Sequence, residues 1–435
     1  GAAATGLLLY DTNQLFTLGF LLSFLVVFAI LTLAPLLRDW LWKMGAPDPF
    51  LPRLLFSRGL RARESVRRAI VNLTSVSIAA WVGSMPLTIL AFHLLSPISI
   101  FANMAAFPLA AAMFGLAVFS VVGGVVWKTW AIWMNNTNWL AAKALLGVLR
   151  LFDAVPGSSF HVASPAFWRW PAPAAEITVL DIGSGRATSL HAGGADWLID
   201  TGRQADFREV VLPFVQACGV DRLNGLILTE GDSYHLSGTP LALIDLQPAS
   251  VFLSPLPSRS PSVRDIRSML AAGRKPALPL AGGQEIAPAR GVFLRVLYPP
   301  PDLAPRAAAE RAVILRVDAA GWRILLLGDS GGVSRDWLMS HLPAGELQSD
   351  AVVLGGPAQD STSEVNFLRS SNARLVVRER DPDDAASTPP VDGPWKTVSQ
   401  KEAGAVTLLI YPDRLEAAGF VNGSVTTLTK PAAPY

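Results

Sequence analysis

The sequence predicts a multi-pass α-helical membrane domain followed by an α/β soluble domain, on three observations. Hydrophobic residues make up 51% of the 435 residues, and mean hydropathy is positive, which is too apolar for an ordinary soluble chain. Thr12 to Leu37 and Ala69 to Trp127 contain no Asp, Glu, Lys or Arg, and each exceeds the roughly 20 residues a helix needs to cross a bilayer. Charge then changes sign along the chain: residues 1–175 hold 12 Lys/Arg against 5 Asp/Glu, and residues 176–435 hold 24 against 29. A net-negative second part argues against non-specific DNA binding over its whole surface, since such binding rests on neutralising phosphates. A local basic groove stays open.

The first span is expected at about Gln14 to Leu37, because backbone in hydrocarbon must satisfy its own hydrogen bonds and so is helical. Arg38 to Arg68 reads as a loop with eight basic residues against Asp39, Asp48 and Glu64, cytoplasmic by the positive-inside rule. The second uncharged stretch is broken at Ser96-Pro97 into spans of about Ala69 to Leu95 and Ile98 to Val126, a helical hairpin. Trp127, Trp130, Trp133 and Trp139 mark a membrane interface, where indole rings prefer to sit. Trp139 to Phe152 is then too short to span and reads as an interfacial helix with Lys143 and Arg150 on its wetter face. Residues 1–155 form the membrane domain in this reading, with about three spans plus that helix. Three spans with the basic loop inside leave the C-terminal domain cytoplasmic, whereas a fourth crossing, or a re-entrant Trp139 to Phe152 segment, places it outside.

Residues 156–175, rich in proline and aromatics, read as a linker, and a second domain occupies 176–435. Short β-rich runs mark it: Ile177 to Ile182, Trp197 to Asp200, Gly225 to Thr229, Val292 to Tyr298, Ala312 to Val317, Trp322 to Leu327, Ala351 to Leu354, Arg374 to Arg378 and Val406 to Ile410. With intervening helical patterns they predict an α/β or α+β domain. Cys218 is the single cysteine, which excludes an intramolecular disulfide and a thiolate metal cluster. The chain begins at Gly1 without the charged n-region of a signal peptide, so further chain is expected before it.

Within the membrane segments Gly19, Pro86, Asn103 and Pro108 stand out, because polar groups and helix breakers there tend to face protein or a water-filled path. The plain alternative is that Asn103 bonds a neighbouring helix and the prolines mark kinks. His93 lies at an expected helix end and reads as packing.

DTNQLFTLGFLLSFLVVFAI (residues 11–30) and SIAAWVGSMPLTILAFHLLSPISIFANMAAFPLA (residues 77–110) resemble two successive blocks of the membrane domain of the ComEC family of DNA-internalisation competence proteins. The resemblance implies a bacterial cytoplasmic membrane protein that admits one DNA strand during natural transformation. Single-stranded DNA, membrane lipid, other competence proteins and a second copy of itself are its implied partners, and the family has a soluble domain and more helices ahead of these blocks. It makes Asn103, Pro86, Pro108 and Gly19 candidates for the DNA path. The second domain resembles the metallo-β-lactamase-like αββα domain of the same family: LDIGSG at Leu180 to Gly185, LIDTG at Leu198 to Gly202 and LLLGDS at Leu325 to Ser330 stand in its order.

That resemblance implies two metals held by a T-H-x-H-x-D-H pattern to activate water. Here the stretch reads Thr229-Glu230-Gly231-Asp232-Ser233-Tyr234-His235, and Gly356, Pro357, Ala358 and Gln359 replace a His-His-Gly-Ser run. His235, Asp232 and Asp329 are the remaining candidate metal ligands, with Asp200 also in place. Glu230 and Asp232 offer oxygen to a hard cation, while Tyr234 replaces the family's aspartate. Loss of ligands from two loops predicts a metal-poor domain. Three readings stay open: an inactive domain kept for structure or DNA guidance, a hydrolase using zinc or manganese on Asp232, His235 and Asp329 to degrade the strand not imported, or something unrelated.

Overall fold

The computed structural model describes residues 2–44, 57–164, 168–183, 185–256, 258, 260–303, 309–355, 361–380 and 393–430. They form two compact units, 1–164 and 165–435.

The first unit holds α1 (Ala2–Tyr10), α2 (Leu18–Lys43), α3 (Arg58–Phe92), α4 (Ser99–Gly124) and α5 (Lys128–Asp153). Of these, α2, α3 and α4 are long and apolar enough to cross a membrane. Helix α3 packs on α2 along a seam of small residues. Ser75, Ala79 and Gly83 recur every four residues on one buried face, and a Cβ on Gly83 would run into the Ala29 side chain and lie 3.4 Å from the Leu25 carbonyl. Helices associate in lipid by this close approach, because no hydrophobic force separates side chain from lipid tail.

Three boundaries differ from the sequence expectation. The basic stretch Arg38 to Arg68 is helical at both ends, since α2 runs on to Lys43 and Ser57 caps α3 by accepting from the Leu60 N–H. Arg67 explains the extension: it donates to the Trp42 carbonyl at 2.7 Å and stacks over the Trp42 ring at 4.3 Å. The expected interfacial helix, Trp139 to Phe152, is the C-terminal half of the 26-residue α5, roughly 39 Å long at 1.5 Å per residue. It packs beside α4, with Ser120 Oγ donating to the Ala131 carbonyl at 3.2 Å. Part of the expected linker belongs to the first unit, because β2 (Phe160–His161) pairs antiparallel with β1 (Leu94–Leu95). As expected, the break near Ser96-Pro97 separates α3 from α4; His93 caps α3 in the left-handed region at φ 54°.

The second unit is a sandwich of two mixed sheets. Strands β3 (Ala175–Val179), β4 (Thr188–Ala192), β5 (Ala195–Ile199), β6 (Gly225–Leu228), β7 (Ser250–Leu253) and β8 (Ala277–Pro279) join β16 (Val406–Ile410), β17 (Arg414–Gly419) and β18 (Val425–Thr429) in the order β18-β17-β16-β3-β4-β5-β6-β7-β8. Strands β9 (Glu285–Ala289), β10 (Val292–Tyr298), β11 (Ile314–Ala319), β12 (Trp322–Leu326), β13 (Ala351–Leu354), β14 (Leu375–Arg378) and β15 (Lys396–Ser399) form the second sheet, β15-β14-β13-β12-β11-β10-β9.

Period-two alternation builds the layers. On β6, Ile227 points between the sheets, where it meets the group containing Leu294, Leu315, Ile324 and Val353. Its neighbours Leu226 and Leu228 point outward, to Phe207, Ala242, Val263 and Ile266. On the other sheet Ile324 and Val353 point inward, and Leu325 and Val352 pack outward on Leu338, Phe367 and Leu368. Strands buried on both faces read as continuous apolar runs. The outer layers are α6 (Gln204–Asp206), α7 (Leu212–Ala217), α8 (Ser233–Leu236), α9 (Thr239–Asp245) and α10 (Pro261–Ala272) on one side, and α11 (Gly332–His341), α12 (Ala344–Leu347) and α13 (Ser361–Ser370) on the other; the single turn α14 (Gln400–Ala403) links β15 to β16. The result is an αββα arrangement.

Candidate functional site

The parallel strands β5, β6, β12 and β14 end at one rim of the sandwich, the place where open α/β sheets offer side chains to ligands. Asp200 follows β5, Glu230 follows β6, Asp329 follows β12 and Glu379 follows β14, while Arg186 enters from the turn between β3 and β4. Arg186 is at the centre. Its Nε donates to Glu379 Oε2 at 2.5 Å, its Nη2 to Asp329 Oδ1 at 2.5 Å and its Nη1 to Glu230 Oε1 at 3.2 Å. The side chain is only 8% exposed.

Glycines make room for that guanidinium. A Cβ on Gly355 would fall on it, and one on Gly328, at φ 60°, would lie 3.2 Å from both Arg186 Nη1 and Glu230 Oε1. Only glycine combines that backbone conformation with the missing side chain.

His235 is the second cation. Its Nδ1 meets Asp232 Oδ1 at 2.8 Å and its Nε2 meets Asp329 Oδ2 at 3.3 Å. Burial lowers its pKa, but the hydrogen bonds to Asp232 and Asp329 and the Glu230 charge outweigh that and push it up to about 11. These surroundings favour the imidazolium, with Nδ1 hydrogen-bonded to Asp232 and Nε2 in charge contact with Asp329. Burial raises the Asp329 carboxyl, and Arg186 and His235 more than reverse that, holding it well below the usual carboxylate range. Burial dominates at Glu230 and Glu379 and raises both. For Arg186, desolvation opposes the charge, and the Glu379, Asp329 and Glu230 carboxylates overcome it.

The structure brings the sequence-predicted His235, Asp232 and Asp329 together, with Glu230 beside them. Asp232 also serves its own helix, capping α8 by accepting from the Tyr234 and His235 N–H groups at 2.8 and 3.1 Å. Tyr234 is 53% exposed. Asp200 is fully buried at φ 58°; its Oδ1 accepts the Thr229 N–H at 2.8 Å and its Oδ2 accepts the Thr229 hydroxyl, which fixes the residue before Glu230. Gly356 to Gln359 lie outside the described residues.

Ligand atoms of Glu230, His235 and Asp329 lie within 4.8 Å of one another, a spacing that invites a metal. The donor set does not fit one. Both His235 nitrogens face carboxylates, Asp329 uses one oxygen on Arg186 and the other on His235, and Glu230 Oε1 accepts from both Arg186 and the Asp329 N–H. A metal ligand must offer a lone pair, and a dication here would also face a guanidinium. Sequence reasoning misses Arg186 and Glu379; the one available signal is an arginine directly after the glycine turn, Gly185-Arg186.

In the membrane unit Asn103 lines a cavity of about 370 Å³ with Trp81, Ser84, Thr88, Ser96 and Ser99. Its side-chain amide has no hydrogen-bond partner among the described residues. Gly19, Pro86 and Pro108 do not line that cavity. A second, open groove of about 680 Å³ is lined by Asn135, Asn136 and Asn138 of α5 and Met113 of α4, amides that the neighbouring tryptophans overshadow in the sequence.

Three apolar helices ahead of an αββα domain define a membrane protein with a metallo-β-lactamase-like domain. Residues 1–180 match the family described as Competence protein. Among solved structures the chain is similar to the metallo-β-lactamase fold protein YhfI from Bacillus subtilis, at 8% identity over 51% of this chain and 95% of that one, TM-score 0.37. It is also similar to Zn(2+)-bound PqqB from Methylobacterium extorquens, at 15% identity over 52% and 97%, TM-score 0.35. A diphosphatase from the PhnP family matches at 14% identity over 47% and 85%, TM-score 0.32. No curated protein matches the chain.

Proposed function

We propose that this protein forms part of the path by which single-stranded DNA crosses the bacterial cytoplasmic membrane during natural transformation, as a multi-pass protein whose αββα domain does not hydrolyse DNA. The match of residues 1–180 to the competence family carries the reading. The chemistry of the membrane unit supports it. A nucleic-acid strand passing through hydrocarbon needs polar groups that are not committed elsewhere, and Asn103 supplies an amide with both donors and acceptors beside the Ser84, Thr88 and Ser96 side chains. The non-hydrolytic part rests on the rim, where every candidate metal ligand already serves Arg186, His235 or a backbone N–H. DNA, lipid, other competence proteins and further copies of the chain are the partners this reading requires.

The test is uptake of labelled DNA by a competent host carrying the full-length gene, its deletion, or Asn103→Leu. Deletion should abolish label in the cytoplasm while leaving label bound at the surface, and Asn103→Leu should reduce entry several-fold with unchanged protein level. Entry at the wild-type rate in the deletion strain sinks the proposal.

A further inference from the structure

The rim of the sandwich presents a contradiction between what the fold implies and what its residues do. A metallo-β-lactamase-like rim implies bound cations, and three acidic side chains do converge here from two sheets: Glu230 from the nine-stranded sheet, Asp329 and Glu379 from the seven-stranded one. The Glu230 and Glu379 side chains are largely buried and that of Asp329 is partly exposed, and carboxylates so gathered repel one another unless a positive charge sits among them. The positive charge present is covalent. Each of the three guanidinium nitrogens of Arg186 is directed to a different carboxylate, at 2.5, 2.5 and 3.2 Å.

We infer that Arg186 is the resident cation of this site: its guanidinium takes the place of the metal ions that the fold otherwise carries, and joins the rims of the two sheets as they would. Three independent features support the assignment. The planar fork matches three acceptors arranged around it, which a lysine ammonium would not reproduce. Space has been cleared for it, since Gly328 and Gly355 leave no room for a side chain where the guanidinium lies. The remaining histidine lies between carboxylates, with Nδ1 2.8 Å from Asp232 Oδ1 and Nε2 3.3 Å from Asp329 Oδ2, so both ring nitrogens face an acidic partner. Glu379, which the degenerate metal motif does not contain, then has a reason to be buried: it is the third partner of the arginine.

The inference deepens the reading of this domain as non-hydrolytic and rests on it, and the experiment separates the two. The full chain is purified in detergent without chelator, its zinc and manganese are measured by elemental analysis, and Tm is recorded with EDTA, zinc or manganese for wild type and Arg186→Ala. Wild type should be metal-free with a Tm that none of these additions moves. Arg186→Ala should melt lower and regain several degrees with zinc or manganese, because removing the guanidinium frees Glu230, Asp329 and Glu379. A stoichiometric metal in wild type that EDTA strips with a fall in Tm overturns the inference, as does a folded Arg186→Ala whose response to metal is no larger than that of wild type. If Arg186→Ala does not fold, Arg186→Gln replaces it, and the wild-type measurements decide on their own. Nucleotide release from single-stranded DNA is followed on the same preparation. Metal-free protein that releases nucleotides sinks the non-hydrolytic reading alone, and metal-bound inactive protein sinks the cation assignment alone.

Discussion

The rim of the αββα domain and the cavity beside Asn103 both gather polar side chains, and they hold them in opposite ways. At the rim every charge is answered: Arg186 by Glu379, Asp329 and Glu230, and His235 by Asp232 and Asp329. Among the residues lining the cavity there is no charge at all, and the Asn103 amide is left without a partner among the described residues. A saturated network resists any new ligand, because binding must first break contacts that are expensive to leave unmade. An unanswered amide has nothing to break. On the proposed reading the rim is structural, and the Asn103 cavity is where a polar ligand meets no prior commitment.

If the rim is structural, its failure should appear in stability. Replacing Arg186 with Met leaves Glu230, Asp329 and Glu379 facing one another without their cation, and removing one partner of a buried ion pair costs about 3–5 kcal/mol. For a domain of this size that lowers Tm by roughly 6–20 °C. Thermal unfolding checks it, and a Tm within error of wild type would show that the network carries no stability and would erase the contrast between the two sites.

A smaller effect is expected along pH. The His235 pKa rises from an ordinary value near 6.5 to about 11 in the folded chain, with its hydrogen bonds to Asp232 and Asp329 overcoming the opposing burial. A raised folded pKa means that the stabilisation is complete below the unfolded value and is lost as pH rises toward the folded one. Stability should thus decline between about pH 6.5 and 11, by at most about 1.4 kcal/mol per pH unit from this group. His235→Gln should flatten that alkaline decline relative to wild type in melts across the range. An equal slope in both proteins would assign the decline to other groups.

Legibility follows physical kind. The nine apolar runs expected as strands all overlap strands, from Ile177 to Ile410, because burial on both faces leaves an unmistakable apolar signature. Strands without that signature are silent in the sequence, among them Thr188–Ala192, Glu285–Ala289 and Val425–Thr429, in which polar or small residues interrupt the run. The helix ends near Lys43 and Arg58 read as loop because charge ends the apolar run, whereas charge ends only the hydrocarbon and not the helix. Asp232, His235 and Asp329 are legible together because the motif order of a metallo-β-lactamase-like domain places them in sequence. Arg186 and Glu379 are not, since an arginine in a polar turn looks like any solvated surface residue until the fold brings three carboxylates to it. Pairing across 193 residues of chain leaves no local trace.

The membrane unit offers the finest comparison, between two glycines that look alike in sequence. Gly83 presses α3 onto α2, with Ala29 and the Leu25 carbonyl where a side chain would go, while a Cβ on Gly19 meets nothing within 4 Å. Overpacking a close contact costs about 1–3 kcal/mol, so Gly83→Leu should lower the midpoint of detergent-induced unfolding and Gly19→Leu should leave it unchanged. The same pair sharpens the functional contrast. Val26, Ala80, Trp81 and Ser84 near this seam also line the Asn103 cavity, so prying α2 from α3 at Gly83 should reduce DNA entry along with stability. Gly19→Leu tests whether the exposed glycine belongs to the path in its own right: reduced entry at full stability would place it there, and unchanged entry would confine the path to the face that carries Asn103.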